Sequence, residues 1–181
     1  MTVFVLDGAT GTELDRRGVD VGLPLWSAGA LIHAPGAVLD VHRAYLKAGA
    51  DAITANTFRT HERSLLKGGI SGRAEELTAI AVTLACQARC EMAPKALVLG
   101  SVAPLEDCYC PDRSPDAEIC REEHEQIMIH LMAAGVDFVL IETMSAATEA
   151  MAAVSAARAV APGAWAISFC FRSSGPPGVL L

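Results

Sequence analysis

Four polar side chains stand where apolar runs of the chain give out. They are Asp7 after Val3-Phe4-Val5-Leu6, Asn56 after Ala52-Ile53-Thr54-Ala55, Ser101 in Leu97-Val98-Leu99-Gly100-Ser101-Val102, and Glu142 after Phe138-Val139-Leu140-Ile141. Two carboxylates brought together can hold an ammonium, and the turn Gly8-Ala9-Thr10-Gly11 offers free backbone N–H groups suited to an anion. On this reading Asp7 and the amides behind it form one half of a small-molecule pocket, and Glu142 forms the other. The competing reading is local: Asp7 caps the helix after it, and Glu142 caps its own following helix. Residue chemistry by itself leaves both standing.

Other reactive types give less. The six cysteines are Cys86, Cys90, Cys108, Cys110, Cys120 and Cys170, with no C-x-x-C spacing. Cys86 and Cys90 lie four apart and share a helical face; small packing residues is the simpler reading than a metal pair. Cys108 and Cys110 flank Tyr109 and acquire no role. His33, His42, His61, His124 and His130 fall on helices and loops and read as surface or packing residues. No strand ends on a lysine, as a Schiff-base aldolase would require.

The elements that must place the four polar groups alternate. A first strand at Val3–Leu6 leads to a helix from Thr10 to Arg17, stopped by Gly18. Val19 to Ala34 shows weak periodicity, and its Trp26 is either a lid over a strand end or a plug that packs the loop down. Pro35 opens a helix whose Val38, Val41, Ala44, Tyr45 and Ala48 recur at helical spacing. A strand over 51–56 follows, then a helix over 73–92 and a strand over 96–102. The loop from Ala103 to Pro115 is long for a strand-to-helix connection, and long ordered loops tend to be functional. A helix over 116–134, a strand over 137–142, a helix capped by Ser145 and a fifth strand over 164–170 complete the series. Residues 172–181 read as a loop.

An internal echo supports this parse. Lys47-Ala48-Gly49-Ala50-Asp51-Ala52-Ile53 resembles Ala133-Ala134-Gly135-Val136-Asp137-Phe138-Val139, each a helix end, a glycine and an acidic residue entering a strand. Repeated βα units predict parallel strands with right-handed crossovers. Gly8-Ala9-Thr10-Gly11 does not fit the glycine fingerprint of a doubly wound nucleotide fold, and no Walker motif occurs. Polar groups at several strand ends are instead the pattern of a (β/α)8 TIM-type barrel, of which only about five units are visible.

The chain has 181 residues, 52% of them hydrophobic and 19% charged, enough for a single domain over 1–181 with a sizeable core. Mean hydropathy is +0.36. No apolar run reaches the roughly 18 residues of a membrane helix, so buried parallel strands and Ala-rich helices account for it. A net charge of −7 without a basic stripe argues against nucleic acid. The N-terminus enters a strand directly, without the pattern of a signal peptide, so a cytoplasmic location is expected.

At these residues the chain resembles the homocysteine S-methyltransferase family. The motifs are Leu6-Asp7-Gly8-Ala9-Thr10-Gly11-Thr12-Glu13-Leu14 with Arg17-Gly18; Ala48-Gly49-Ala50-Asp51 leading to Ala55-Asn56-Thr57-Phe58; Gly100-Ser101-Val102-Ala103-Pro104; and Ala134-Gly135-Val136-Asp137 leading to Ile141-Glu142-Thr143. The resemblance implies a (β/α)8 barrel that moves a methyl group onto the homocysteine sulfur from a donor such as S-methylmethionine, betaine or a methylated folate. It implies that Asp7 and Glu142 hold the amino group, that amides near Gly8 and Ala9 receive the carboxylate, and that Asn56 belongs to the same substrate site.

The resemblance also implies zinc, held by one cysteine after the sixth strand and a glycine-flanked Cys-Cys pair further on. This chain has no Cys-Cys pair, and Cys170 matches no ligand position. The expectation is therefore a homocysteine methyltransferase-like chain without its metal ligands, the alternative being a truncated or degenerate relative that binds an amino acid and does no chemistry. Missing strands would leave open sheet edges, so the isolated chain should self-associate.

Overall fold

A computed structural model of the protein describes residues 3–171. The segment 172–181, expected to be a loop, lies outside the described residues. The helices are α1 (Thr10–Arg16), α2 (Ala30–His33), α3 (Pro35–Lys47), α4 (Glu62–Lys67), α5 (Ala74–Met92), α6 (Ala117–Ala134) and α7 (Ala147–Val160). The strands are β1 (Ala52–Ala55), β2 (Leu97–Val102), β3 (Phe138–Met144) and β4 (Trp165–Phe169), parallel and adjacent in the order β1-β2-β3-β4. Each strand pairs with the next in sequence, which is the ordering of a barrel wall. Among the described residues no helix is long and apolar enough to cross a membrane.

Alternation along each strand separates two faces. Ile53 and Ala55, Val98 and Val102, Val139 and Ile141 join one core under the helices. Thr54, Ser101, Leu140, Glu142 and Ser168 turn the other way and line a cavity. Gly100 also faces the helices, where an added Cβ would sit 2.7 Å from Leu131. Its missing side chain lets α6 lie close on β2. Leu131 is fully buried there, a contribution of roughly 1.5–3 kcal/mol.

The echoed motif is an actual joint. Gly49 and Gly135 take φ of 99° and 91° at the ends of their helices, a left-handed turn that glycine makes without steric penalty. Each following aspartate then ties a strand to its neighbour. Asp51 Oδ2 accepts from the Val5 amide at 2.9 Å, and Asp137 Oδ2 from the Val98 amide at 2.8 Å.

The sequence reading needs correction in several places. Val3–Leu6 is not a full strand: it reaches β1 through one parallel bridge, Leu6 to Ala52, with backbone bonds Asp51 N to Val5 O and Asp7 N to Ala52 O. Pairing on one side only leaves Val3, Phe4, Val5 and Leu6 46–77% exposed. The expected five strands are thus four and a bridged segment. Val19–Ala34 contains a 3-10 turn at Trp26–Gly29 and the short α2, and α4 was not anticipated. Their brevity leaves no periodicity to read. Ser145 does not cap α7; Ala146 holds that position, with no side-chain bond.

Candidate functional site

The cavity opens at the C-terminal ends of the strands and has a volume of about 500 Å³. Its wall includes Asp7, the α1 entry from Gly8 to Thr12, Trp26, Asn56 and Glu142. Among the described residues, Asp7 and Glu142 are the charged groups on that wall. The structure therefore gathers all five residues proposed from sequence: Asp7, Gly8, Ala9, Asn56 and Glu142.

Asp7 does not cap α1, whose N-cap residue Ala9 carries no side-chain bond. Its carboxylate turns to β1, accepting the Thr54 amide on Oδ2 at 2.7 Å and the Thr54 hydroxyl on Oδ1 at 2.9 Å. Glu142 does not cap α7 either. Its Oε1 meets the hydroxyl of Ser101 on β2. Burial raises the Asp7 carboxyl above the usual carboxylate range, against the Thr54 bonds that lower it. Burial raises Glu142 as well; the Ser101 bond opposes this, and the charge of Asp7 adds to it. Two carboxylates that sense one another in a half-buried cavity can pair with a cation that enters it.

Gly8 has a steric reason: a Cβ there would lie 2.8 Å from Tyr45 Oη. That phenol donates to Ala9 O at 3.1 Å and fixes the turn from outside. The α1 entry is left uncapped beside the cavity.

Asn56 sits on the wall with its side chain already engaged. Its Oδ1 accepts from Ser27 Oγ at 2.6 Å, and its Nδ2 donates to Ser27 O at 2.8 Å. It anchors the 3-10 turn that presents Trp26. Trp26 packs its loop down, as the plug reading has it, and forms part of the cavity wall. It lines the cavity and is 38% exposed, yet its indole also covers Gly11, where a Cβ would stand 2.3 Å from Nε1. Its φ of 50° is unusual for a non-glycine residue and costs on the order of 1–3 kcal/mol.

Glu142 faces the cavity by the ordinary alternation of β3, and a bulge follows it. Ile141 pairs with Ile167, but Met144 pairs with Phe169, so β3 carries one extra residue. Alternation would send Met144, two positions on, to the cavity as well; the extra residue returns it to the helix-side core. Thr143 absorbs the irregularity at φ 56°, and its amide donates to Ser168 Oγ at 3.2 Å. Bulges beside sites commonly re-aim a side chain in this way.

Sequence reasoning missed Thr54, which reads as an ordinary β-branched strand residue, and the work of Thr57. The Thr57 hydroxyl donates to Ser101 O at 2.8 Å and accepts from Ser101 N at 2.9 Å, sealing β1 to β2 below the cavity. It also missed Glu149 on α7, which is 2% exposed. Glu149 accepts from Leu105 N and Ser114 Oγ, both at 2.7 Å, and pairs with His124 Nε2 at 3.1 Å. These bonds fold the Ala103–Pro115 loop onto α6 and α7. Burial raises the Glu149 carboxyl, but the bonds from His124, Leu105 and Ser114 outweigh it and hold the group below the usual range.

A tri-thiolate zinc does not fit the described residues. They contain no group of three or more His, Cys, Asp or Glu able to hold a metal. Burial pushes the thiols of Cys86, Cys108 and Cys120 upward, the reverse of what a thiolate ligand requires.

A parallel βα wall with polar groups gathered at the C-terminal ends of its strands is the architecture of a (β/α)8-type barrel. The family profile described as homocysteine S-methyltransferase matches residues 4–179, and the chain belongs to that family. It is 35% identical over 169 residues to the homocysteine S-methyltransferase YbgG of Bacillus subtilis, covering 84% of this chain and 53% of that protein. It is 33% identical over 156 residues to the Escherichia coli homocysteine S-methyltransferase, covering 78% of this chain and 50% of that one. The crystal structure of the metallated Escherichia coli homocysteine methyltransferase MmuM superposes with a TM-score of 0.82 at 28% identity, over 94% of this chain and 63% of that one. The chain thus spans about half the length of the curated relatives it matches.

Proposed function

We propose that this chain supplies the amino-acid-binding side of a homocysteine S-methyltransferase. Asp7 and Glu142 take the α-ammonium between them, and the amides around Gly8 and Ala9 receive the carboxylate. Asn56 keeps the Trp26–Ser27 wall in place beside the substrate. The observation that carries this reading is the convergence of two part-buried carboxylates, remote in sequence, on one cavity large enough for a small amino acid. Each is oriented by a hydroxyl on a different strand, so the pair is fixed before a ligand arrives.

In the complete family reaction a methyl group passes from a small donor to the homocysteine sulfur, a step toward methionine. Zinc would supply the thiolate there, since a free thiol with a pKa near 8.5 is mostly protonated at neutral pH. The thiols described in this chain favour a second reading alongside it, an amino-acid-binding relative that performs no methyl transfer. A cytoplasmic setting and self-association through the open sheet edges belong to the same proposal.

Calorimetric titration with L-homocysteine, with and without zinc, tests it. Glu142→Ala should weaken binding by tenfold or more, because an ammonium–carboxylate contact in a part-buried site contributes about 1.5–3 kcal/mol. Equal affinity in wild type and variant would remove Glu142 from the site. A zinc-dependent gain for homocysteine but not for methionine favours the enzyme; no zinc effect favours the binding relative.

A further inference from the structure

The two carboxylates of the cavity are held by chemically different partners. Asp7 accepts a backbone N–H from Thr54 as well as its hydroxyl. An amide only donates, so this setting selects the ionised carboxylate. Glu142 has one partner, the Ser101 hydroxyl, and a hydroxyl donates or accepts equally well. Nothing else on the described wall neutralises either group. Arg16 and Arg17 of α1 are taken up by Glu13, and the Tyr45 phenol of α3 is spent on Ala9 O. Two like charges confined to one cavity keep a proton between them.

Resting on the ammonium reading above, we infer that in the empty cavity Glu142 carries a proton, with the Ser101 hydroxyl accepting from it, while Asp7 stays ionised on Thr54. Entry of an amino acid's ammonium then expels that proton. Glu142 loses H⁺ to solvent and keeps the electron pair, and the ligand retains its three N–H bonds. The wall passes from one negative charge to two as one positive charge enters, so the cavity never holds an unbalanced second carboxylate. Ser101 is thereby a positioning residue whose two-way hydrogen bonding permits both states of Glu142.

L-methionine is the probe, since it has the same amino-acid head and no thiol proton to confuse the count. Titrating the full chain in buffers of different ionisation enthalpy gives the protons exchanged. Expected is a release of up to one proton per methionine, with affinity falling as much as tenfold per pH unit below the release midpoint. Glu142→Gln should bind more weakly, with no release and a flat pH profile. If that variant fails to fold or bind, infrared difference spectra of the wild type should lose a protonated-carboxyl stretch on adding methionine. Binding without proton exchange from about pH 5 to about pH 8, persistent release in Glu142→Gln, or an unchanged carboxyl stretch would each overturn the inference while leaving the ammonium site intact. No methionine binding at all would overturn the ammonium site and the inference together.

Discussion

Replacing Glu149 by alanine should be among the most damaging single changes in the chain, although Glu149 does not line the cavity. The side chain is buried at 2% exposure and satisfies three groups at once. Truncation strands the Leu105 amide, at about 1–3 kcal/mol for an unsatisfied buried donor. The Ser114 hydroxyl and His124 ring each lose a bond of roughly 1 kcal/mol. The sum, about 3–5 kcal/mol, agrees with the usual loss when one partner of a buried pair is deleted. Equilibrium urea unfolding read by circular dichroism should show the midpoint falling by about 1–2 M at an m-value near 2.5 kcal/mol/M. Glu149→Gln keeps an acceptor for Leu105 and a donor for Ser114 and should recover much of the loss. The sign of the pH effect is fixed by the depressed folded-state pKa of Glu149. Its contribution is complete above the unfolded value of about 4.3 and is lost as pH falls through the lower folded value. The gap between wild type and Glu149→Gln should therefore narrow on acidification below about pH 4. An alanine variant within 1 kcal/mol of wild type, checked as roughly 0.4 M in midpoint, would refute the claim that this carboxylate organises the loop.

Three further outcomes are expected. Asn56→Ala removes two buried bonds to Ser27 and should cost about 2–3 kcal/mol, with tryptophan emission moving to the red as Trp26 is freed. Thr143→Gly relieves a β-branched residue at φ 56° and should leave thermal stability unchanged or raise it by up to about 1 kcal/mol. Phe4→Lys charges an exposed edge segment and should shift sedimentation profiles toward smaller species.

What could be read beforehand followed from periodicity and punctuation. The long helices α5 and α6 fall within a residue of their expected ranges, since helical spacing repeats over several turns. The positive-φ glycines Gly18, Gly49 and Gly135 stand at the ends of α1, α3 and α6, where expected. The carboxylates were visible as charges closing apolar runs. The contacts that hold them were not: Ser101 was visible only as a polar group near a strand end and Thr54 not at all, because both act through alternation and register between strands, which a single sequence does not display. Glu149 was hidden for a different reason. It occupies the first turn of α7, where an acidic residue is ordinary, and only the fold of the Ala103–Pro115 loop gives it partners. The extra residue in β3 was equally silent, since Glu142-Thr143-Met144 scans as regular strand.

That extra residue has a consequence for how the gene can change. Removing the codon for Thr143 would bring the ladder between Ile141 and Phe169 back into step. Met144 would then follow Glu142 directly, still opposite Phe169, and ordinary alternation would keep it in the hydrocarbon beneath α7 and its neighbours. No position downstream would change sides, and the loss would be confined to the cavity mouth: the kink at Thr143 and its amide bond to Ser168. The extra residue is thus a local device at the rim of the cavity, separable from the two-sided pattern of the strand that carries it.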